Sequence, residues 1–449
     1  MQAASWPAGK KLVHLDLKGA PPRIPYLHRL LELFAQLGAD GVLDVARSNG
    51  LEVIPLIQTF GHMEFVLKHR SLSGLREMDR CLGTLSPHGE EGPRLVMEML
   101  RQVVELHPGL RTLHIGADEV YMLGDGEESK QWLSTPGHTV EQLFLGHVTR
   151  VAGAVKEAWP HLNVVMWDDM LRGMSGNSLK ASGLVGLVQP MLWDYNPGLN
   201  VEETVSLLEK YGGAGLTDLW AASAFKGSTS VHSSVTPTQR HVDNHLQWLK
   251  VVQALPPGLR LLGIALTGWQ RYDHMSVLCE LMPVALPSLV ACLRTLVRGH
   301  FGPEVRAEAA QSLGLASVEV DALERTSEAD SLFLGRRLAM LIVELAQLLD
   351  SEEVRNFESN MFVRGWFSPY HRQRRAVNPL ICMQIQSQAD TLLNAVEERA
   401  AEAREEMVRL FPDSTAQEWM EQHVSPVTGP LRRISEEIGA CLSETGPPQ

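Results

Sequence analysis

Several features that mark other classes of protein are missing from this sequence. Its 5 cysteines are scattered and form no Cys-x-x-Cys pair, which favours reduced thiols. No Asn-x-Ser/Thr acceptor site occurs, and no apolar signal core lies in the first ten residues. No apolar run approaches the ~20 residues of a membrane span. We therefore expect a soluble protein of the cytoplasm and nucleus.

Positive charge is also in short supply. The chain has 40 Lys and Arg against 53 Asp and Glu, which gives a formal net charge of -13. This charge argues against nucleic acid or an anionic membrane as the main partner. Hydrophobic residues make up 44% and charged residues 21% of the chain, so a sizeable core is expected. The 449 residues suffice for one large domain and a smaller one.

Short apolar runs alternate with amphipathic helical segments through the first two thirds of the chain. Eight runs are predicted strands, at residues 12–17, 41–43, 51–57, 111–116, 163–167, 187–193, 216–222 and 261–267. Helical spacing occurs at residues 24–37, 93–107, 139–159, 201–211, 239–252 and 274–298. The alternation predicts a parallel sheet, and eight units predict a (β/α)8 TIM barrel over residues 1–300.

The second βα unit of this barrel is apparently truncated. Only residues 44–50 separate the second and third predicted strands, whereas parallel neighbours need a crossover of about a dozen residues. We hypothesise that the sequence lacks an internal segment after Leu43.

A C-terminal helical region packed on the barrel is predicted for residues 301–449. Helical patterns cover 307–315, 327–349, 378–410 and 415–442. Between them, residues 365–375 form an aromatic and basic stretch, which either lines the barrel mouth or is an aromatic plug with a solvated basic tail. We favour the plug.

Two adjacent carboxylates follow the strand predicted at 111–116. Asp118 and Glu119 reach one pocket only if the strand ends there, as the glycine- and acid-rich loop after them indicates. Each should raise the pKa of the other, so that Glu119 holds a proton near pH 7 for a departing glycosidic oxygen. Asp118 is too close in sequence to Glu119 to be a separate water-activating base, which would need a carboxylate spacing of ~6.5–9.5 Å. It better suits substrate-assisted cleavage, in which it would steady the N–H of an attacking acetamido group. An ordinary exposed acidic pair is the alternative.

Tryptophans fall at four predicted strand ends. Trp167, Trp193, Trp220 and Trp269 would offer indole faces to the C–H faces of a sugar and to an acetamido methyl group. Any one alone is more often a core residue. Four at one end of a barrel favour a sugar pocket.

Other polar residues at the predicted strand ends have two readings each. His62, after a strand and a glycine turn, either tunes the acid through Asp118 or is structural. His114 precedes the acidic pair, and orienting it is favoured over direct catalysis. Asp16 and Lys18 either bind sugar hydroxyls or form a salt bridge across the barrel mouth.

The stretch His114-Ile115-Gly116-Ala117-Asp118-Glu119 resembles the His-x-Gly-Gly-Asp-Glu signature of glycoside hydrolase family 20, the β-N-acetylhexosaminidases. Ala117 stands in place of the second glycine. Residues 15–22, 58–65, 220–227, 267–274 and 365–374 resemble one branch of that family. The resemblance covers almost the whole chain.

This resemblance implies a (β/α)8 barrel and a retaining, substrate-assisted mechanism without metal or other cofactor. The substrate would be a small molecule or glycoconjugate with a terminal β-linked GalNAc or GlcNAc. Glu119 would be the acid/base and Asp118 the acetamido-orienting group. The pocket residues would be Trp167, Trp193 and Trp269, with His62 supporting.

The sequence departs from the family pattern at four places. Lys18 stands where lysosomal relatives commonly carry an arginine, and Trp269-Gln270-Arg271 replaces their Trp-x-Glu. The tyrosine that stabilises the oxazoline in relatives has no clear equivalent near Trp220, and Tyr195 is the candidate for it. Relatives also have a longer insert between positions 43 and 51, in agreement with the short crossover.

Two other functions remain open. An inactive or unstable variant that binds amino sugars without cleaving them would follow from the short link after Leu43. A metal-dependent hydrolase would use His62, His114, Asp118 and Glu119, but their spacing matches neither His-x-His nor His-Glu-x-x-His. The sequence does not decide between GalNAc and GlcNAc, or whether the protein is a homodimer.

Overall fold

A computed structural model describes residues 6, 9–37, 39, 51–315, 317–318 and 333–444. The strand predicted at residues 41–43 and the link at 44–50 lie outside the described residues. The hypothesis of a missing internal segment therefore stays a prediction.

The described residues form a sheet of six parallel strands. They are β1 Lys10–Val13, β2 Thr112–His114, β3 Asn163–Trp167, β4 Val188–Trp193, β5 Asp218–Lys226 and β6 Arg260–Gly268. Their order is β1-β6-β5-β4-β3-β2, so each strand from β2 to β5 pairs with the next along the chain. The pairing of β1 with β6 joins the first strand to the last, as a barrel requires.

One further segment pairs along the outer edge of β2. Leu56 forms an isolated parallel bridge with His114, whose backbone N–H donates to Pro55 O at 2.9 Å. The strand predicted at 51–57 is thus reduced to a single bridge, in the position that a preceding barrel strand would occupy.

The sheet curls around an interior cluster of side chains. Leu12 from β1 and Leu56 beside β2 come from opposite edges of the sheet, yet both pack with Trp167, Met191 and Trp220. A flat sheet would hold its two edges far apart, so this shared cluster requires strong curvature. The predicted strand–helix alternation and parallel sheet are confirmed.

Helices flank the sheet. They are Ile24–Gln36, Glu64–Leu67, the 3-10 helix Arg70–Leu75, Glu91–Leu106, Glu127–Leu133, Val140–Ala158, Asp169–Arg172, Gly176–Ala181, Val201–Ala214, Thr238–Gln253 and Met282–Arg298. Local sequence sets several ends: the Asn200 side chain caps the helix that begins at Val201, and Gly215, at φ 99°, ends it. The helix predicted from residue 274 begins only at Met282, because Asp273 and Ser276 form a hydrogen-bonded turn.

The region after residue 301 is helical. Its helices are Pro303–Ser312, Arg336–Leu349, Glu352–Arg355, Met361–Trp366, Pro369–Arg374, Pro379–Leu410, Asp413–His423 and Ser425–Glu444. The single helix predicted at 415–442 is therefore wrong. It breaks at Val424, since Pro426 has no backbone N–H with which to continue the preceding helix.

The C-terminal helices share the main core and build a second one. Leu338, Ile342 and Trp419 belong to the cluster that also holds the barrel-side helices. Phe367, from the stretch 365–375, is fully buried in a separate cluster of C-terminal helices, while Trp366 and Tyr370 are exposed. Only Phe367 behaves as the predicted plug. None of the described helices combines the length and apolar character that crossing a membrane requires.

Candidate active site

The backbone turns sharply where β2 ends. Trp167 still donates its backbone N–H to Gly116 O at 3.0 Å, but Gly116, Ala117 and Glu119 then adopt φ values of 67°, 67° and 45°. Left-handed residues break the alternation of a strand. The strand therefore ends at the predicted place, which frees neighbouring side chains to share one pocket.

Both carboxylates lie within reach of one imidazole. His62 Nε2 is 2.9 Å from Glu119 Oε2 and 3.6 Å from Asp118 Oδ2. The preceding Gly61 allows this close approach, since a Cβ there would lie 2.0 Å from the backbone oxygen of Asp118. Of the two readings of His62, its position favours the functional one, with Glu119 as the nearer partner.

Asp118 is buried and held by an amide. Its side chain accepts a hydrogen bond from Gln58 Nε2 at 2.8 Å, and Gln58 Oε1 accepts the backbone N–H of Ala117 at 3.2 Å. Burial raises the pKa of Asp118, although the charge of His62 and the bond from Gln58 oppose the rise. Gln58 thus fixes the carboxylate against the turn that presents it.

Glu119 has the opposite electrostatic environment. The hydrogen bond from His62 lowers the pKa of Glu119 despite partial burial. Burial disfavours a charged His62, but its bond to Glu119 and the charge of Asp118 outweigh this and raise the pKa of His62 to about 9. The expectation that its neighbour raises the pKa of Glu119 is wrong, because the imidazole is bonded directly to Glu119.

A third carboxylate completes the acidic cluster. Asp169 Oδ2 accepts the backbone N–H of Glu119 at 2.9 Å, and its Oδ1 accepts the indole N–H of Trp193 at 3.2 Å. Burial, with the charge of Asp118, raises the pKa of Asp169 to about 6. Asp169 lies two residues beyond the strand predicted at 163–167, but nothing in the sequence pattern indicated that it bonds Glu119.

Three predicted tryptophans stand at strand ends. Trp167 is the last residue of β3, Trp193 is the last of β4, and Trp269 follows β6. The rings of Trp167 and Trp269 are 5.9 Å apart, and Trp269 donates its indole N–H to the hydroxyl of Tyr195 at 3.0 Å. Tyr195 also stacks on Trp193 at 5.3 Å, so these four side chains form one aromatic wall.

His114 supports the turn from below. Its Nδ1 accepts the backbone N–H of Gly116 at 3.0 Å, and its ring packs on Trp167 at 4.5 Å. Burial lowers the pKa of His114 to about 3, so the ring is neutral at physiological pH. These contacts fit an orienting role.

Asp16 and Lys18 form a salt bridge, which is one of the two arrangements expected from the sequence. Lys18 Nζ lies 3.4 Å from Asp16 Oδ2 and 5.3 Å from the centre of the Trp269 ring. Asp16 also accepts the backbone N–H of Gln270 at 2.8 Å. The charge of Lys18 lowers the pKa of Asp16 against the effect of burial. The pair therefore anchors the segment that carries Trp269.

The chain is similar to known glycoside hydrolases along nearly its whole length. Residues 5–197 match the glycosyl hydrolase family 20 catalytic domain. Human hexosaminidase D is 41% identical over 477 residues, covering 99% of this chain and 98% of the relative. Hexosaminidase D of cattle is 47% identical over 340 residues, covering 69% of this chain and 98% of the relative.

The chain belongs to glycosyl hydrolase family 20. The solved structure of a β-N-acetylhexosaminidase from Bacteroides fragilis has a TM-score of 0.44 at 12% identity, over 59% of this chain and 62% of that one. The alignment with the human family 20 relative is longer than the 449 residues of this chain, so that relative has positions without a counterpart here.

Ala117 occupies a demanding position for a family 20 enzyme. It is fully buried and has a φ of 67°, a conformation that costs a residue with a Cβ ~1–2 kcal/mol. The second glycine of the family signature would avoid that cost. The turn survives here because Gln58 binds the Ala117 N–H and because neighbouring side chains pack around it.

The strand-end position predicted for Trp220 is wrong. Strand β5 continues to Lys226, so Trp220 lies near its beginning and is 3% exposed, with its indole N–H bonded to Gln189 at 2.9 Å. The apolar run at 216–222 was taken for the whole strand, but pairing with β6 continues to Lys226. In this family 20 chain Trp220 packs inside the sheet, below the other tryptophans.

A buried lysine behind the aromatic wall was missed. Lys226, 1% exposed, donates to the backbone oxygen of Trp269 at 2.6 Å and to Gln270 Oε1 at 3.3 Å. Burial lowers its pKa, and the charge of Glu280 opposes that change. A single lysine in an apolar strand was the only sequence signal.

Among the described residues, no three His, Cys, Asp or Glu side chains are grouped so as to hold a metal ion.

Proposed function

We propose that this glycoside hydrolase is an exo-acting, retaining β-N-acetylhexosaminidase that removes terminal β-linked GalNAc or GlcNAc from glycoconjugates. The observation that carries the proposal is the turn after β2, which brings Asp118 and Glu119 to the same imidazole beside a wall of aromatic rings. The family match supports this activity over the inactive sugar-binding alternative.

In the proposed reaction, Glu119 gives a proton to the departing glycosidic oxygen. That proton resides on the His62–Glu119 pair, since the pKa of His62 is about 9 and only one 2.9 Å hydrogen bond separates the two groups. As the glycosidic bond breaks, the acetamido oxygen bonds to the anomeric carbon and forms an oxazolinium ion. Water then attacks this carbon, Glu119 takes the proton, and the sugar is released with its original anomeric configuration.

Asp118 is proposed to stabilise the acetamido group. Its carboxylate, held by Gln58, would accept the acetamido N–H as positive charge develops in the ring. Tyr195, whose hydroxyl accepts a bond from Trp269 and also bonds the Thr267 side chain, is the proposed partner of the acetamido oxygen. Trp167, Trp193 and Trp269 would enclose the sugar, and the salt-bridged pair of Asp16 and Lys18, beside the Trp269 ring, is proposed to contact its hydroxyls as well.

The remaining proposals concern architecture and context. We take the curved sheet as part of a closed (β/α)8 barrel over residues 1–300, with residues 301–449 as a helical region packed on it. The pairing of β1 with β6 and the helix contacts in the main core support this division. We also propose a cytoplasmic and nuclear location, and a homodimer remains a proposal to be measured.

The proposal is tested by hydrolysis of 4-nitrophenyl β-GalNAc and β-GlcNAc across pH, with Glu119→Gln beside the wild type. Loss of turnover in a folded variant is expected, and the ratio of rates gives the sugar preference. Undiminished turnover by Glu119→Gln would refute the assignment. Failure of the folded wild-type chain to cleave either substrate would favour the sugar-binding alternative.

A further inference from the structure

Asp169 connects two parts of the pocket that the chemistry uses separately. One of its oxygens accepts the backbone N–H of Glu119 at 2.9 Å, and the other accepts the indole N–H of Trp193 at 3.2 Å. We infer that Asp169 is a positioning residue, which fixes the proton-donating geometry of Glu119 and couples it to the tryptophan that faces the sugar. The inference rests on the proposed role of Glu119.

The backbone of Glu119 needs such a restraint. Its φ of 45° is a left-handed conformation that a residue with a Cβ rarely adopts. Glu119 is also only partly buried, so packing alone holds its side chain weakly. A charge-assisted bond to its N–H counteracts relaxation toward ordinary backbone angles, which would swing the carboxyl away from His62.

Asp169 is itself held rigidly. It directly follows Asp168 and begins the helix Asp169–Arg172 at the end of β3. Arg172 bonds Asp168 at 2.7 Å and the backbone oxygen of Trp193 at 2.6 Å, and its guanidinium lies 4.9 Å from the centre of the Trp193 ring. Trp193 therefore makes three contacts with the helix Asp169–Arg172, one with Asp169 and two with Arg172. A shift of this helix would move Trp193 and Glu119 together.

The chain offers two substitutions that separate these contacts. Asp169→Asn keeps the shape of the side chain but leaves one oxygen acceptor for two N–H donors, so at least one contact is lost. Trp193→Phe keeps an aromatic ring but removes the indole donor and part of the ring area, leaving the bond between Asp169 and the Glu119 N–H. The pair therefore distinguishes loss of the Glu119 contact from loss of the tryptophan contact.

The decisive readout is the dependence on the leaving group. A disaccharide with a terminal β-N-acetylhexosamine needs its departing oxygen protonated, whereas 2,4-dinitrophenolate leaves without a proton. If Asp169 positions the acid, Asp169→Asn should lose roughly 100-fold in kcat on the disaccharide and less than about fivefold on the dinitrophenyl glycoside. KM for either substrate should change by less than about threefold. In Trp193→Phe, the ratio of the two kcat values should stay at its wild-type value, and KM should rise.

Equal losses on both substrates in Asp169→Asn would overturn the inference, as would no loss on either. A change in the kcat ratio of Trp193→Phe as large as in Asp169→Asn would also overturn it. Glu119→Gln, measured on the same disaccharide, reports on the proposed function separately: if it is inactive while Asp169→Asn shows equal losses, only the present inference fails. If Glu119→Gln cleaves the disaccharide as fast as the wild type, both the proposed function and the present inference are refuted. Circular dichroism checks that each variant is folded, and Asp169→Ser, which cannot span both donors, replaces Asp169→Asn if that variant is insoluble.

Discussion

Replacing His62 with asparagine tests where the proton for the reaction resides. The hydrogen bond of 2.9 Å to Glu119 and the charge of Asp118 raise the pKa of His62 to about 9, although burial opposes this. The same bond lowers the pKa of Glu119. The pair therefore keeps one proton up to about pH 9, and the alkaline limb of kcat/KM should reflect its loss.

The size of the effect follows from the removal of the cation. In His62→Asn, the pKa of Glu119 should rise, because the hydrogen bond that lowers it is lost while partial burial remains. The variant no longer holds the proton that His62 keeps up to about pH 9, and general acid catalysis contributes typically about 10²–10⁴-fold, so kcat/KM at pH 7 should fall at least roughly 100-fold. The alkaline limb should move to lower pH, because a carboxyl without the imidazole loses its proton at lower pH than the pair does.

The assay is the pH profile of kcat/KM on a β-linked N-acetylhexosamine disaccharide, whose leaving oxygen requires the proton. His161→Asn, at an exposed histidine away from the site, is the matched control and should reproduce the wild-type profile. An alkaline limb that stays near pH 9 in His62→Asn would refute the reasoning, because the proton would then come from another group.

Three further substitutions test the scaffold around the site. Asp168→Asn removes the charge that Arg172 binds at 2.7 Å. Because the Arg172 side chain is 34% exposed, the free energy of unfolding in urea should fall by only about 1–3 kcal/mol. An unchanged unfolding midpoint would contradict this. Gly61→Ala places a methyl group 2.0 Å from the backbone oxygen of Asp118, so kcat should fall more than about tenfold, and full activity would show that the turn moves freely. Trp220→Phe should lower Tm but leave KM within about twofold; a large rise in KM would place Trp220 at the substrate after all.

The parts of the site that could be predicted are those fixed by local pattern. The ends of β3 and β4 coincide with Trp167 and Trp193, because an apolar run bounded by polar residues marks a buried strand well. The departure of the chain from strand geometry at Asp118 was also foreseeable from the loop that follows. Trp220 was misplaced because β5 is longer than its most apolar stretch, and burial rather than composition sets where a strand stops.

The electrostatics of the site could not be predicted in the same way. The bond between His62 and Glu119 joins residues that are 57 positions apart, and the bond from Glu119 to Asp169 spans 50 positions. Adjacency in sequence suggested that Asp118 would dominate the pKa of Glu119. A pKa depends on the nearest charge in space, and the chain brings His62 closer than any sequence neighbour could indicate.

The pairing of β1 with β6 has a consequence for how the enzyme is made. Asp16 accepts a hydrogen bond from Gln270, which lies 254 positions further along the chain. Thr415 donates to the backbone oxygen of Gly19 across 396 positions. During synthesis, β2 to β5 can pair in order, whereas the edge of β1 that pairs with β6 stays unpaired and open to wrong partners until β6 leaves the ribosome. Loop closure over such distances is slow, and the segment that presents Trp269 is therefore among the last parts of the pocket to form.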